Sequence, residues 1–201
     1  MPERGRGRSR PVGTIKTGQP SAAAPNVSPG EKANGWILLA HPLFLDQLER
    51  LTAKASEEVS SGSREGPATK LLAHVLDLMF EKVPQNPGGG AYRHGGALGG
   101  GNREWFRAKT GNGRFRLFYR FSTRAEVIIY AWLNDERSLR TYGSSTDAYS
   151  VFTRMLEEGS PPTAWAALYA EASKRENADR LRQATQRQAE QRHAKQQRRD
   201  R

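Results

Sequence analysis

At 201 residues, with 36% hydrophobic content and a formal net charge of +11, the chain has room for one folded domain flanked by polar ends. It contains no cysteine, which excludes a disulfide framework, a thiolate metal site and a cysteine nucleophile. No apolar run reaches about 18 residues, and the Arg- and Gly-rich start lacks a signal-like apolar stretch, so a soluble cytoplasmic protein without membrane contact is expected.

Residues 1–33 alternate Arg with Gly and then run through Pro, Ser and Ala without periodicity, the pattern of a disordered basic arm. From Asn34 the composition changes, and residues 34–172 read as the folded domain. Phe44, Leu48, Leu51 and Ala55 fall at helical spacing behind Pro42. A polar loop over 60–66 leads to Pro67, which opens a second helix to about Val83 with Leu72, Val75, Leu76 and Met79 on one stripe. A short loop between two amphipathic helices makes them an antiparallel pair. His41 and His74 read as structural. Pro84 ends the second helix, and a glycine-dense loop carries Arg93 and His94. That loop is followed by a strand, which is the wrong context for a phosphate cradle.

Glu104 to Phe121 is two alternating runs around Asn112-Gly113, a strong hairpin signal. A two-residue loop there pairs Lys109 with Arg116 and Arg107 with Phe118. Trp105, Arg107 and Lys109 share a face with Arg114, Arg116, Phe118 and Arg120. Phe106, Ala108, Phe115, Leu117, Tyr119 and Phe121 take the other. Val127 to Leu133 is apolar on both faces, as in a central strand. Thr146 or Asp147 caps a helix to about Glu158 with Ala148, Val151, Phe152 and Met155 inward, stopped by Gly159 and Pro161-Pro162. Trp165, Leu168, Tyr169 and Ala172 give one more helix. Residues 173–201 form a basic tail of helix-favouring residues with Leu181 the only large aliphatic, so nothing is expected to hold it to a core.

The charge is placed unevenly. Residues 1–33 carry +4, 172–201 carry +6, and 34–171 only +1. Within that middle, 93–124 holds eight Lys/Arg against one acid, or +7, between flanks of −2 and −4. Like charges side by side on a sheet weaken a hairpin by about 0.2–1 kcal/mol per pair, so a compensating polyanion is the expected ligand. The four histidines lie too far apart in sequence for a zinc site, and no metal or cofactor is expected.

The middle also spells a series of motifs in order: Asn34-Gly-Trp36, Ala40-His-Pro42, Ala68 to Ala73, Arg93-His-Gly95, Gly113 to Phe121, Trp132 to Glu136, Leu139 to Gly143, Thr146 to Tyr149 and Pro161-Pro162. This series, over roughly 34–170, closely resembles the YhaV family of bacterial type II toxins, within the RelE-like superfamily. The resemblance implies an α+β fold in which a small antiparallel sheet packs with an N-terminal helical pair and C-terminal helices. It also implies an endoribonuclease that cuts mRNA, free or on the ribosome, and a cognate antitoxin of the PrlF (AbrB-like) type. Arg107 and Lys109 match the first basic pair of RelE-like toxins, Arg116 their strand arginine and Tyr142 their tyrosine. Where RelE carries an arginine six residues before that tyrosine this chain has Glu136, so that role falls to Arg137, to Arg140 or to no residue.

RNA is cut when its own 2′-hydroxyl attacks the adjacent phosphate. Arginine suits the extra negative charge because its fork matches phosphate oxygens and stays protonated. Arg107 and Arg116 take that role. Lys109 or His94, the latter a residue type that titrates near neutrality, serves as base or acid. Tyr142 orients the RNA, and Arg93, Arg114, Arg120 and Arg140 are positioning contacts. A non-catalytic RNA- or DNA-binding module using the same face is the alternative.

Overall fold

The computed structural model describes residues 30–186, and its centre is a five-stranded sheet. The strands are β1 (Glu31–Ala33), β2 (Trp36–Ala40), β3 (Phe106–Thr110), β4 (Phe115–Ser122) and β5 (Val127–Leu133), in the order β1-β2-β5-β4-β3. β5 lies in the middle with all seven residues buried, as its two-sided apolar run requires. The sheet is mixed, because β2 runs parallel to β5 while every other pair is antiparallel.

The β1–β2 pair is absent from the reading of the sequence. It turns on Asn34 and Gly35, both at positive φ (46° and 83°), the same Asn-Gly chemistry that turns the β3–β4 hairpin. β1 also draws residues 31–33 into the fold. The disordered arm expected over 1–33 otherwise lies outside the described residues, as does the tail beyond 186. The β3–β4 register is as expected: Lys109 stands opposite Arg116, and Arg107 opposite Phe118.

One face of the sheet is covered by α1 (Pro42–Ser60) and α2 (Pro67–Asp77). Phe44, Leu48, Leu72, Val75 and Met79 pack there on Ala108, Leu117, Tyr119 and Tyr130. Glu58 joins the two helices, its carboxylate accepting from Ala68 N at 3.0 Å and Thr69 N at 2.8 Å, which supplies acceptors to the start of α2. Helical structure does not stop at Pro84. A π-turn over Leu78–Lys82 leads into the single turn α3 (Val83–Gln85), with Pro84 inside it. Pro84 falls in the last turn of this continuous helix, directly after the π-turn.

The other face is covered too, by α4 (Ala148–Glu157) and α5 (Trp165–Ala172). Phe152 of α4 stacks on Phe118 with ring centroids 4.2 Å apart and meets Trp105 edge-on at 5.1 Å. The alternation of Trp105 and Phe118 with the hairpin arginines therefore marks a second core, not an open basic surface. A last helix, α6, follows at 175–186. It does dock, contrary to expectation. Leu181 and Ala184 enter the core beside α1, and Arg180 donates to Glu49 Oε1 at 2.7 Å and Asp46 Oδ1 at 2.6 Å. One leucine among small alanines suffices when an arginine binds the acids of the facing helix.

Candidate active site on the basic hairpin

Closing the second face with α4 draws the hairpin arginines inward. Arg107 is 9% exposed and Arg116 5% exposed, so both guanidinium groups are largely out of water. Arg107 Nε donates to the Tyr149 hydroxyl at 2.8 Å, and a terminal nitrogen of the same group donates to Ala91 O at 2.6 Å. Arg116 donates to Gly113 O at 2.6 Å and Phe115 O at 2.9 Å, while its buried Nε has no acceptor. The partners of the two cations are thus three carbonyls and one phenol. Among the described residues, no carboxylate pairs with either.

Arg140 is the third cation of the group. Its guanidinium carbon lies 5.1 Å from the Tyr149 ring centroid and 4.8 Å from that of Tyr142, and Arg116 stands 5.9 Å from Tyr149. Unlike the other two, Arg140 pairs with an acid, the buried Asp147. Asp147 also accepts from Thr141 N at 2.7 Å and Tyr149 N at 2.9 Å, so one carboxylate caps α4 and anchors the cation above it. Asn134 ties this segment to the hairpin: its Oδ1 accepts from Arg116 N, and its amide donates to Ser138 O at 2.8 Å. Arg140 N donates to Arg114 O at 3.1 Å, extending the sheet edge past β5.

Arg107, Arg116 and Arg140 therefore gather around Tyr149, with Lys109 exposed opposite Arg116 and Tyr142 exposed at 92% beside Arg140. Arg114 is exposed at the hairpin tip. The other expected residues are engaged elsewhere. His94 has both ring nitrogens occupied by its own loop, by Asn102 O at 3.0 Å and Leu98 N at 3.4 Å. Arg93 lies over Phe106, 4.4 Å from its centroid, on the α1/α2 side. Arg120 is enclosed between Trp105 and Trp165 at 5.5 and 5.6 Å, and burial lowers its pKa from the usual arginine range. Glu136 turns away to Lys54 at 3.3 Å, so of the two candidate substitutes it is Arg140, not Arg137, that reaches the cluster. Among the described residues no group of three His, Asp or Glu side chains is placed to hold a metal ion.

Tyr149, Asp147 and Asn134 were not singled out as site residues in the sequence. Tyr149 shares a helical stripe with Phe152 and Leu156, so its signal is that of a core aromatic until α4 is docked.

A family model described as a toxin with endonuclease activity, of a toxin–antitoxin system, matches residues 38–173. The ribonuclease toxin YhaV of Escherichia coli K12 and the toxin YhaV of Escherichia coli O157:H7 are each 44% identical over 149 residues, 72% of this chain and 96% of the relative. No solved structure matches. The matched span begins in β2 and ends just past α5, taking in the hairpin and every element that closes over it, and the chain belongs to the YhaV family of toxins.

Proposed function

We propose that this chain is the toxin of a type II toxin–antitoxin pair and that it cuts RNA on the face where Arg107, Arg116 and Arg140 surround Tyr149. The observation that carries this reading is the burial of Arg107 and Arg116 without an acid. Holding an unpaired charge in a low-dielectric site costs several kcal/mol, and a bound phosphate removes that cost.

In this reading the 2′-hydroxyl of one nucleotide attacks its own 3′-phosphate. The new charge on the phosphorane oxygens falls to Arg107 and Arg116, which are preorganised before substrate arrives. Lys109, exposed beside Arg116, takes the 2′-proton in its neutral amine form, since both nitrogens of His94 are already engaged. Tyr142 and Arg140 form an exposed stacking platform for a base. The protein acts in the cytoplasm on mRNA, free or on the ribosome, and is neutralised by a PrlF/AbrB-type antitoxin. The test is cleavage of a defined RNA by purified protein, with and without ribosomes and with a chelator, beside growth on induced expression. Arrest and chelator-resistant cleavage are expected from the wild type and from no Arg107→Ala culture. RNA binding without cleavage in every condition would leave a binding module and sink the reading.

A further inference from the structure

The Tyr149 hydroxyl accepts from Arg107 Nε at 2.8 Å, and among the described residues its own hydrogen meets no acceptor. The other buried phenols near the sheet differ. Tyr119 donates to Pro87 O at 2.8 Å and Tyr130 to Met79 O at 2.7 Å, both within the α1/α2 core. Tyr149 also lines an open cleft of about 460 Å³ between Ala97 of the glycine-rich loop, Ser145 ahead of α4, and Ser150, Thr153, Arg154 and Glu157 on α4. A phenol with a spare proton, held by one guanidinium and with two more over its ring, borders a space open to solvent.

We infer that Tyr149 is a catalytic residue that gives its proton to the leaving 5′-oxygen, with the departing nucleoside seated in the Ala97–Arg154 cleft. This rests on the ribonuclease reading above. The bond from the 2′-oxygen to phosphorus forms, the bond from phosphorus to the 5′-oxygen breaks, and the products are a 2′,3′-cyclic phosphate and a 5′-hydroxyl. The 2′-proton leaves to the neutral amine of Lys109, which later releases it to water, and the 5′-oxygen receives the phenol proton. The phenolate remains hydrogen-bonded to Arg107 Nε and is reprotonated by water entering the cleft. Tyr142, fully in solvent beside Arg140, keeps the stacking role.

The test compares two oligoribonucleotides that differ at the scissile bond, one with the ordinary 5′-oxygen and one with sulfur in its place. Thiolate leaves without a proton, so the sulfur substrate needs no acid. Tyr149→Phe keeps the ring that meets Phe118 edge-on at 5.7 Å, and its thermal unfolding and RNA affinity are measured alongside. The expected result is a roughly 10²–10⁴-fold slower cleavage of the oxygen substrate with wild-type cleavage of the sulfur substrate and unchanged affinity. Equal slowing on both substrates would make Tyr149 a positioner of Arg107 and overturn the proposal, as would full activity on the oxygen substrate. Both substrates are offered with and without ribosomes, and a wild type inactive on both in either condition would overturn the ribonuclease reading, and this role with it.

Discussion

Arg107 and Arg180 are both half-way or more withdrawn from water, yet the fold treats them in opposite ways. Arg180 of α6 grips two carboxylates of α1, and those acids push its pKa further up. Arg107 and Arg116, on the hairpin, receive carbonyls and a phenol but no acid, and one buried nitrogen of Arg116 receives nothing. The same side chain thus serves as fastener in one place and as an unmet cation in the other. Stability favours the first arrangement, whereas the second withdraws charge from water without an acid to offset it, which is the feature the proposed function rests on. Arg140 sits between them, acid-paired through Asp147 but turned toward the unmet cluster.

Replacement by methionine separates the two roles most sharply. Arg107→Met keeps the volume and removes the buried charge. Its cleavage rate is expected to fall roughly 10²–10³-fold, the typical cost of one lost transition-state donor, while its urea midpoint stays at or above wild type. Arg180→Met is expected to do the reverse, with wild-type cleavage and a lower midpoint. A fall in midpoint for Arg107→Met together with intact cleavage would erase the distinction. Next in size is Asp147→Ala, which removes the α4 cap and the partner of Arg140 together. A loss of about 0.5–2 kcal/mol is expected from the cap, measured by denaturant titration. Cleavage should fall as Arg140 loses its anchor, and should fall less than in Arg107→Met. Smallest of the three is the stability loss in Arg180→Met itself. Its side chain is 30% exposed and its partners about half exposed, so screening holds the loss to about 1 kcal/mol or less.

The hairpin register was legible because Asn-Gly fixes a turn and a turn fixes every pair beyond it. The two-sided burial of β5 was legible for a similarly local reason, a run with no polar position. β2 was not, because its five residues owe their place to a parallel partner some ninety positions later, which no local pattern encodes. The candidate site divides along the same line. Arg107, Lys109 and Arg116 lie on one hairpin and could be placed together from spacing alone. Tyr149 and Asp147 arrive on a helix that reads as ordinary core, and only its docking under Phe118 brings the phenol to Arg107. Trp105 and Phe118 held the missing clue. Two large aromatics alternating with arginines on one face need a cover, and a cover turns a basic surface into a buried one.

His41 tests the comparison from the other side, as a group with an acid partner that is nevertheless kept neutral. It caps α1, and its Nε2 lies 2.7 Å from Glu171 Oε2 at the end of α5. Leu43 N donates to Nδ1 at 3.3 Å, which places the ring hydrogen on Nε2, where it donates to Glu171. Burial is the larger influence and lowers the pKa from the usual 6.5; Glu171 and Asp46 oppose it, and Lys174 adds to it. A second proton would have to displace the Leu43 N–H from Nδ1, which agrees with that direction. Because the folded value lies below the unfolded one, the unfolded chain binds more protons in this window. The stabilisation is complete above about pH 6.5 and is lost as pH falls through 6.5 and then through the lower folded value, with a slope of at most about 1.4 kcal/mol per pH unit. Denaturant titrations from pH 7.5 down to 5.5 are expected to show this decline in the wild type and a flatter profile in His41→Gln. A wild-type stability that rises toward pH 5.5 would mean the Glu171 contact is a true ion pair and that an acid partner, wherever the fold supplies one, does fix the charge.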